Sequence, residues 1–495
     1  MQFQFPQKTL KCLSCALEEV KHTEVTQELR LTDGMPDIGR VLAVWGQVML
    51  RSKQWMDDEI SLSGGVKMWV LYAPEDNTQP RVTEGWIPFQ IKWDVRHGGR
   101  EGTVRMMPLL RYADGRSVSA RKMMLRAGIG VLAQGMCPME TEVYVPEELP
   151  EQVQVLKKTY PVWLPVEAGE KTFQLDEDLE DHGIGKLISY RVCPEITEKR
   201  VLADKIAFKG CTNLHLVFLN GDGRITSKDY ELPFSQLIDL DGSYGSDARG
   251  DIRIAVTDLE ADLLEEGNLR VKCAMVAQYL VDDRQILELA EDAYCPGRAL
   301  TFDTALLELP AVLEENWQTR NPAQTLTGHD GTVADACYLP DHPRIRQSTD
   351  YVDVELPGIF QILYYRDDGT LQWITNRCEE TMQLQADENC HMTVLVRNSG
   401  QIRISAASED AMISAPLQIQ IRTGSGKGLT MLTSLELGQS EEPDPGRPSV
   451  ILRRAGDDTI WDIAKECSST VEAIQNANEG TDCLTADRML LIPVI

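Results

Sequence analysis

Several short clusters in this chain have the residue types that chemistry uses, and spacing decides which of them can act. Thr423-Gly424-Ser425-Gly426-Lys427-Gly428 has the composition of a phosphate loop, where glycine N–H groups and a lysine cradle phosphate oxygens. The leading glycine of that motif falls at Ile421, and Gly428 stands where the magnesium-binding hydroxyl belongs, so nucleotide binding is not expected. Asn220-Gly221-Asp222-Gly223-Arg224-Ile225, running on to Asp229, offers oxygens in part of an EF-hand order. With Gly223 at the sixth position the first ligand becomes Phe218, which cannot hold calcium, so a hairpin turn is the expectation. Cys12-Leu13-Ser14-Cys15 has the spacing of half a zinc site or of a redox pair, without two further ligands nearby. The 7 histidines are scattered, and none adjoins a nucleophile motif such as GxSxG. Asp176-Glu177-Asp178-Leu179-Glu180-Asp181 is a charge run, expected to be a solvated face or linker rather than an acid/base pair. The expectation is no catalytic residue, no metal and no cofactor: not an enzyme. A hydrolase site assembled from distant segments stays open as the alternative from that class.

The elements that would have to position such groups are set first by bulk properties. A chain of 495 residues should hold three or four domains. Its net charge of −28 and pI near 4.7 oppose any sequence-independent grip on nucleic acid or on an anionic membrane surface. The start, Met1 to Lys8, has no basic segment followed by a long apolar run, and no apolar window spans a membrane, so a soluble, unsecreted, cytoplasmic acidic protein is expected. The 12 cysteines are scattered, some within apolar runs such as Arg270 to Val276, which suits reduced thiols. A Cys467–Cys483 disulfide is not expected, because Cys467 occupies an apolar helix position.

The stretch from Val450 to Pro493 reads strand, helix, helix, strand. Thr459 can cap a first helix, with Asp462 as its capping-box partner. Ile460, Ile463, Ala464 and Cys467 then recur at the spacing of one buried helix face. Ser469 or Thr470 can cap a second helix in which Val471, Ile474 and Ala477 face inward, ending at Asn478-Glu479-Gly480. Met489 to Pro493 closes the unit as a strand. In a unit this small Trp461 is expected to fill the core. Gly456, Asp457, Thr459, Ile460, Trp461, Ile463, Ala464, Val471, Glu472, Ile474, Asn478, Ile492 and Pro493 stand in an order that resembles the LysM domain. Asp458 lengthens the first turn, and Ala486-Asp487 stands where Pro-Gly is usual. LysM modules generally bind N-acetylglucosamine polymers such as peptidoglycan. The resemblance implies a groove for ligand or partner at Gly456, Asp457, Asp458, Thr459, Ile460, Asn478 and Glu479, with glycan and a protein partner both open.

The rest of the chain repeats itself. Gly65-Val66-Lys67-Met68-Trp69-Val70-Leu71-Tyr72 recurs from Gly210 to Phe218 and again from Gly358 to Tyr365. Trp86-Ile87-Pro88-Phe89 recurs as Glu231-Leu232-Pro233-Phe234, and Val143-Tyr144-Val145-Pro146 as Ala293-Tyr294-Cys295-Pro296. Short runs with period-two alternation fill each copy: Val201 to Phe208, Thr212 to Leu219, Asp251 to Val256 and Leu269 to Leu280 in the second. Asn220-Gly221-Asp222-Gly223 and Arg366-Asp367-Asp368-Gly369 supply hairpin turns. The expected fold is mainly β: three tandem antiparallel β domains at 20–150, 160–300 and 308–438, a linker at 439–448 and a βααβ module at 449–495. The linker, from Gly438 to Pro448, is rich in Pro and Gly and should let the module reach a partner independently of the body.

The Gly-led strands, the approach Val201-Leu202-Ala203-Asp204-Lys205-Ile206, the opening Met35 to Leu42 and the LysM-like ending together resemble the SPOCS family, SipL-like spore-envelope morphogenetic proteins of endospore-forming clostridia. That resemblance implies a non-catalytic scaffold of spore coat assembly in the mother-cell cytoplasm. Its partner at the forespore surface would be the coat's basement-layer ATPase, stage IV sporulation protein A, met through the LysM module. The rival reading is a peptidoglycan-binding protein at the wall or cortex.

Overall fold

The computed structural model describes residues 2–495 apart from 77–78, 96–101, 146–148, 181–182, 265–267, 311, 328–331, 349–350, 386–389, 408–409, 426–427, 441–445, 447, 457 and 479–488. Period-two alternation becomes antiparallel strand throughout the body. In the first domain Glu59–Pro74 lies between Ile38–Met56 and Arg81–Asp94, and Lys122–Tyr144 lies between Gln7–Arg30 and Thr103–Ser119. Alternate residues of both sheets, Val44, Ile60, Val66, Met106, Leu125 and Ile129 among them, point into one apolar core. The second domain repeats this order, with Lys205–Leu219 between Lys186–Leu202 and Ile225–Asp239, and Asn268–Tyr294 between Gln154–Glu180 and Arg249–Leu263. The third keeps Tyr351–Tyr365 between Val333–Pro340 with Arg344–Gln347 on one side and Leu371–Gln385 on the other, but its second sheet is broken into shorter ladders.

Two of the glycines that open the repeated runs, each lying inside its strand, have a steric reason. A Cβ on Gly65 would lie 1.9 Å from the Trp86 ring, and one on Gly358 would lie 2.1 Å from the Tyr338 hydroxyl. An aromatic side chain lies across the strand at both places, and only glycine leaves it room.

The strands are longer than the alternation suggested. Leu269 to Leu280 is part of one strand, Asn268–Tyr294, and its register with Gln154–Glu180 runs through two bulges without ending. These extensions exist because a further core covers them. Leu10, Cys12 and Val143 of the first domain, Val162, Leu164, Leu287 and Leu289 of the second, and Leu307 and Met431 of the third pack together away from the domains' own interiors. Val201 to Phe208, expected as one strand, is the tip of a hairpin: Leu202 pairs with Lys205 and Ala203 turns with φ +44°. Gly223 and Gly369 turn at φ +75° and +76°, as the two predicted hairpins require. Cys12 and Cys15 lie three apart on the strand Gln7–Arg30, which directs them to opposite faces and rules out a shared metal.

Strand Gln2–Gln4 adds to Leu429–Ser440, which also pairs with Arg298–Leu307, so the beginning of the body is clasped to its end. The final module comprises strand Val450–Arg454, helix α1 (Ile460–Glu466), helix α2 (Val471–Ala477) and strand Met489–Pro493. Thr459 caps α1 with the complete capping box, and Thr470, rather than Ser469, caps α2. Ile463, Ala464, Ile474, Leu490 and Ile492 form the core. Ala477 is exposed at the last position of its seven-residue helix, and Cys467 is half-buried as the C-cap of α1.

Candidate functional site: the terminal module and the domain junction

In the module, the residues proposed for a groove are engaged in the module's own fold wherever they are described. Gly456 turns with φ +63°, a conformation that favours glycine. Thr459 is spent on the cap, exchanging hydrogen bonds with Asp462. Asp458 pairs with Arg453, whose other arm holds Glu466 at 2.5 Å. Asn478 donates to the carbonyls of Ile474 and Leu491, both at 2.7 Å, and accepts from the Leu491 N–H at 2.9 Å, which pins the last strand under α2. Ile460 is half-buried at the head of α1. Asp457 and Glu479 lie outside the described residues, as do Gly426 and Lys427 of the glycine-rich loop and Cys483.

Two further surfaces of the module escaped the pattern reading. Its two strands alternate, so Ile451, Leu490 and Ile492 face the helices while Val450, Leu452, Met489 and Leu491 face outward at 47, 64, 48 and 40 % exposure. Trp461 packs at the edge of the module's core rather than filling it. It is half-buried against Tyr294 of the second domain, ring centroids 4.9 Å apart, and its indole N–H donates to Asp292 at 2.8 Å. Lys465 meets the same carboxylate at 2.7 Å. The module is thus seated on the end of the long strand Asn268–Tyr294 rather than held free of the body, because α1 presents an aromatic ring and a cation to a matching ring and anion.

The second concentration of polar chemistry lies where the three domains meet. Gln134, Gln278 and Gln420 are buried on the central strands of their sheets; the first two face Arg105 and Arg253 across the ladder, each a lone polar residue in an apolar run. Gln278 exchanges hydrogen bonds with the Met106 backbone at 2.7 and 2.8 Å and accepts from Lys53 at 2.6 Å. Gln420 donates to Asp251 at 3.1 Å, and Asp251 pairs with Arg105 at 2.5 Å. Burial pushes the Asp251 carboxyl up, but Arg105, Arg253 and Arg422 around it hold it well below the usual carboxylate range. Arg422 pairs with Asp282, whose burial outweighs that arginine and lifts it to about 6.

Nearby, the fully buried Asp335 of the third domain accepts from the Trp45 indole of the first at 2.6 Å. Two groups of the second domain reach it as well, Arg191 at 3.2 Å and His215 at 2.6 Å. His215 meets Asp229 with its other nitrogen at 2.6 Å, so both ring nitrogens face carboxylates and the imidazolium is favoured. Burial alone would depress His215; the charge of Asp335 and the two hydrogen bonds raise it instead. Burial works against the Asp335 carboxylate too, and Arg191 and His215 overcome it, holding it at about 2.

Between these clusters lies a cavity of about 260 Å³ lined by all three domains, with Val48 and Pro108, Arg191 and Arg253, and Tyr338 and Arg397 among its walls.

Residues 183–264 match the family model of the SipL SPOCS domain. No curated protein matches the chain. The SPOCS segment begins at the first sheet of the second domain and runs past the strand Arg249–Leu263, so it contributes Arg191, His215, Asp229, Asp251 and Arg253 to the junction. No pattern in the chain signalled the ion pairs between domains, whose partners lie more than 100 residues apart. Two of the three buried glutamines had a signal: Ala133-Gln134 and Ala277-Gln278 recur inside matched apolar runs.

Proposed function

We propose that this chain is a non-catalytic adaptor of spore-envelope assembly, acting in the mother-cell cytoplasm at the forespore surface. Its terminal βααβ module is LysM-like and docks on a coat morphogenetic ATPase resembling stage IV sporulation protein A. The observation that carries the reading is the outward strip Val450, Leu452, Met489 and Leu491, a contiguous apolar sheet face on a module whose described loop polar groups are engaged within it. Exposed apolar strips of this kind favour a protein surface over a sugar polymer, which needs free polar groups as well as apolar walls. The SPOCS match supports the sporulation context, and the seating of Trp461 and Lys465 on the body leaves that strip exposed.

The test uses the full chain, immobilised and offered both the coat ATPase of the same organism and purified peptidoglycan. Capture of the ATPase is expected, falling at least tenfold in the Leu452→Lys, Leu491→Glu double variant, whose new charges face each other with opposite sign across the two strands. The melting temperature should hold, because both side chains already face water. Capture of peptidoglycan with no capture of the ATPase would replace this reading with the wall-binding one.

A further inference from the structure

In a chain of net charge −28, three arginines converge on the junction cavity. Arg191, Arg253 and Arg397 line it, and the carboxylate among its described lining residues, Asp229, is already engaged by His215. Arg253 is 2 % exposed, and among the described residues none of its three guanidinium nitrogens has a hydrogen-bond partner. Its nearest carboxylate contact is Asp251 at 3.5 Å, an oxygen that Arg105 holds at 2.5 Å. Among the described residues the Arg397 guanidinium donates to the Ile252 carbonyl at 3.3 Å, and the Arg191 Nε has no hydrogen-bond partner. A buried guanidinium left with five unused donors is costly unless an acceptor enters. Burial depresses Arg253 to about 9, and the charges of Arg105 and Arg397 add to it against the pull of Asp251.

The cavity has far more room than one water needs. Val48, Pro108, Leu110, Ile254, Val256 and Pro416 give it apolar walls, beside polar ones such as Gln47 and Asn213. We infer that this cavity binds a small organic oxyanion, its charged end on Arg253 and Arg397 and its apolar part against those walls. A carboxylate and a phosphate ester share that chemistry. Because the lining comes from all three domains, a bound anion contacts each of them and steadies their junction.

The experiment is thermal unfolding and calorimetry on the full chain with phenyl phosphate, isobutyrate, inorganic phosphate or chloride at matched ionic strength. A saturable rise in melting temperature with an oxyanion, beyond that with chloride, is expected. Response to the phosphates alone assigns a phosphate ligand, and response to isobutyrate alone a carboxylate; response to both supports the shared oxyanion site. Arg253→Met should weaken binding at least tenfold while raising the midpoint of the unliganded chain, since it removes a buried charge that has no hydrogen bond and shares its nearest carboxylate with Arg105. If that variant fails to fold, Arg397→Gln serves in its place, with the same tenfold loss expected. The inference is overturned if no oxyanion exceeds chloride, or if the variant that folds responds like the parent chain.

Discussion

Arg453–Asp458 in the terminal module and Arg191–Asp335 at the domain junction are both arginine–aspartate pairs, and their surroundings make them different objects. The first joins side chains 28 and 48 % exposed, five residues apart, where water screens each charge and either partner can be lost cheaply. The second is between side chains 11 and 0 % exposed on different domains, where Asp335 also holds Trp45 and His215. Losing the carboxylate there strands a buried cation and unties the packing of three domains at once. Charge pairs therefore trim the module locally, whereas at the junction they specify how the domains sit together.

The largest effect that would sharpen this contrast is expected from Asp335→Ala. It should cost about 3–5 kcal/mol by chemical denaturation, as for other broken buried pairs. A loss under about 1 kcal/mol would make the junction as dispensable as the surface.

A smaller effect comes from pH. The Asp335 carboxyl is held at about 2, below its ordinary 3.8, so its contribution is complete above about pH 4 and is lost as pH falls toward 2. His215 is raised above 6.5, so its contribution is complete below pH 6.5 and fades as pH rises through the higher folded value. This cluster is therefore strongest between about pH 4 and 6.5. Denaturation midpoints at pH 5, 7 and 9 should fall across the series, and His215→Gln should flatten that fall. An unchanged slope in the variant would remove His215 from the account.

The smallest effect is that of Asp458→Ala, about 0.2–1 kcal/mol and sensitive to salt. A loss as large as that of Asp335→Ala would collapse the distinction between the two pairs.

Legibility followed the same division. The capping box of Thr459 and Asp462, the hairpin glycines Gly223 and Gly369 and the strand–helix–helix–strand order were readable because each depends on residues a few positions apart. The length of the strand Asn268–Tyr294 was not, because alternation shows that a residue is covered without showing by what. The seat of Trp461 on Tyr294 was hidden for a related reason: a helix pattern ranks a tryptophan as buried whether its cover is its own module or another domain.

The sequence by itself determined a mainly β chain with a recurring domain plan and a βααβ ending, since periodicity, turn chemistry and capping are short-range properties of covalently neighbouring residues. Only the tertiary structure decided that Trp45, His215 and Asp335 share one buried cluster, and that Arg253 stands against a cavity with no hydrogen-bond partner among the described residues. Those facts depend on the registers of several long ladders, which bring together groups as far as 290 residues apart. A charge shows nothing in sequence of the water it will lose.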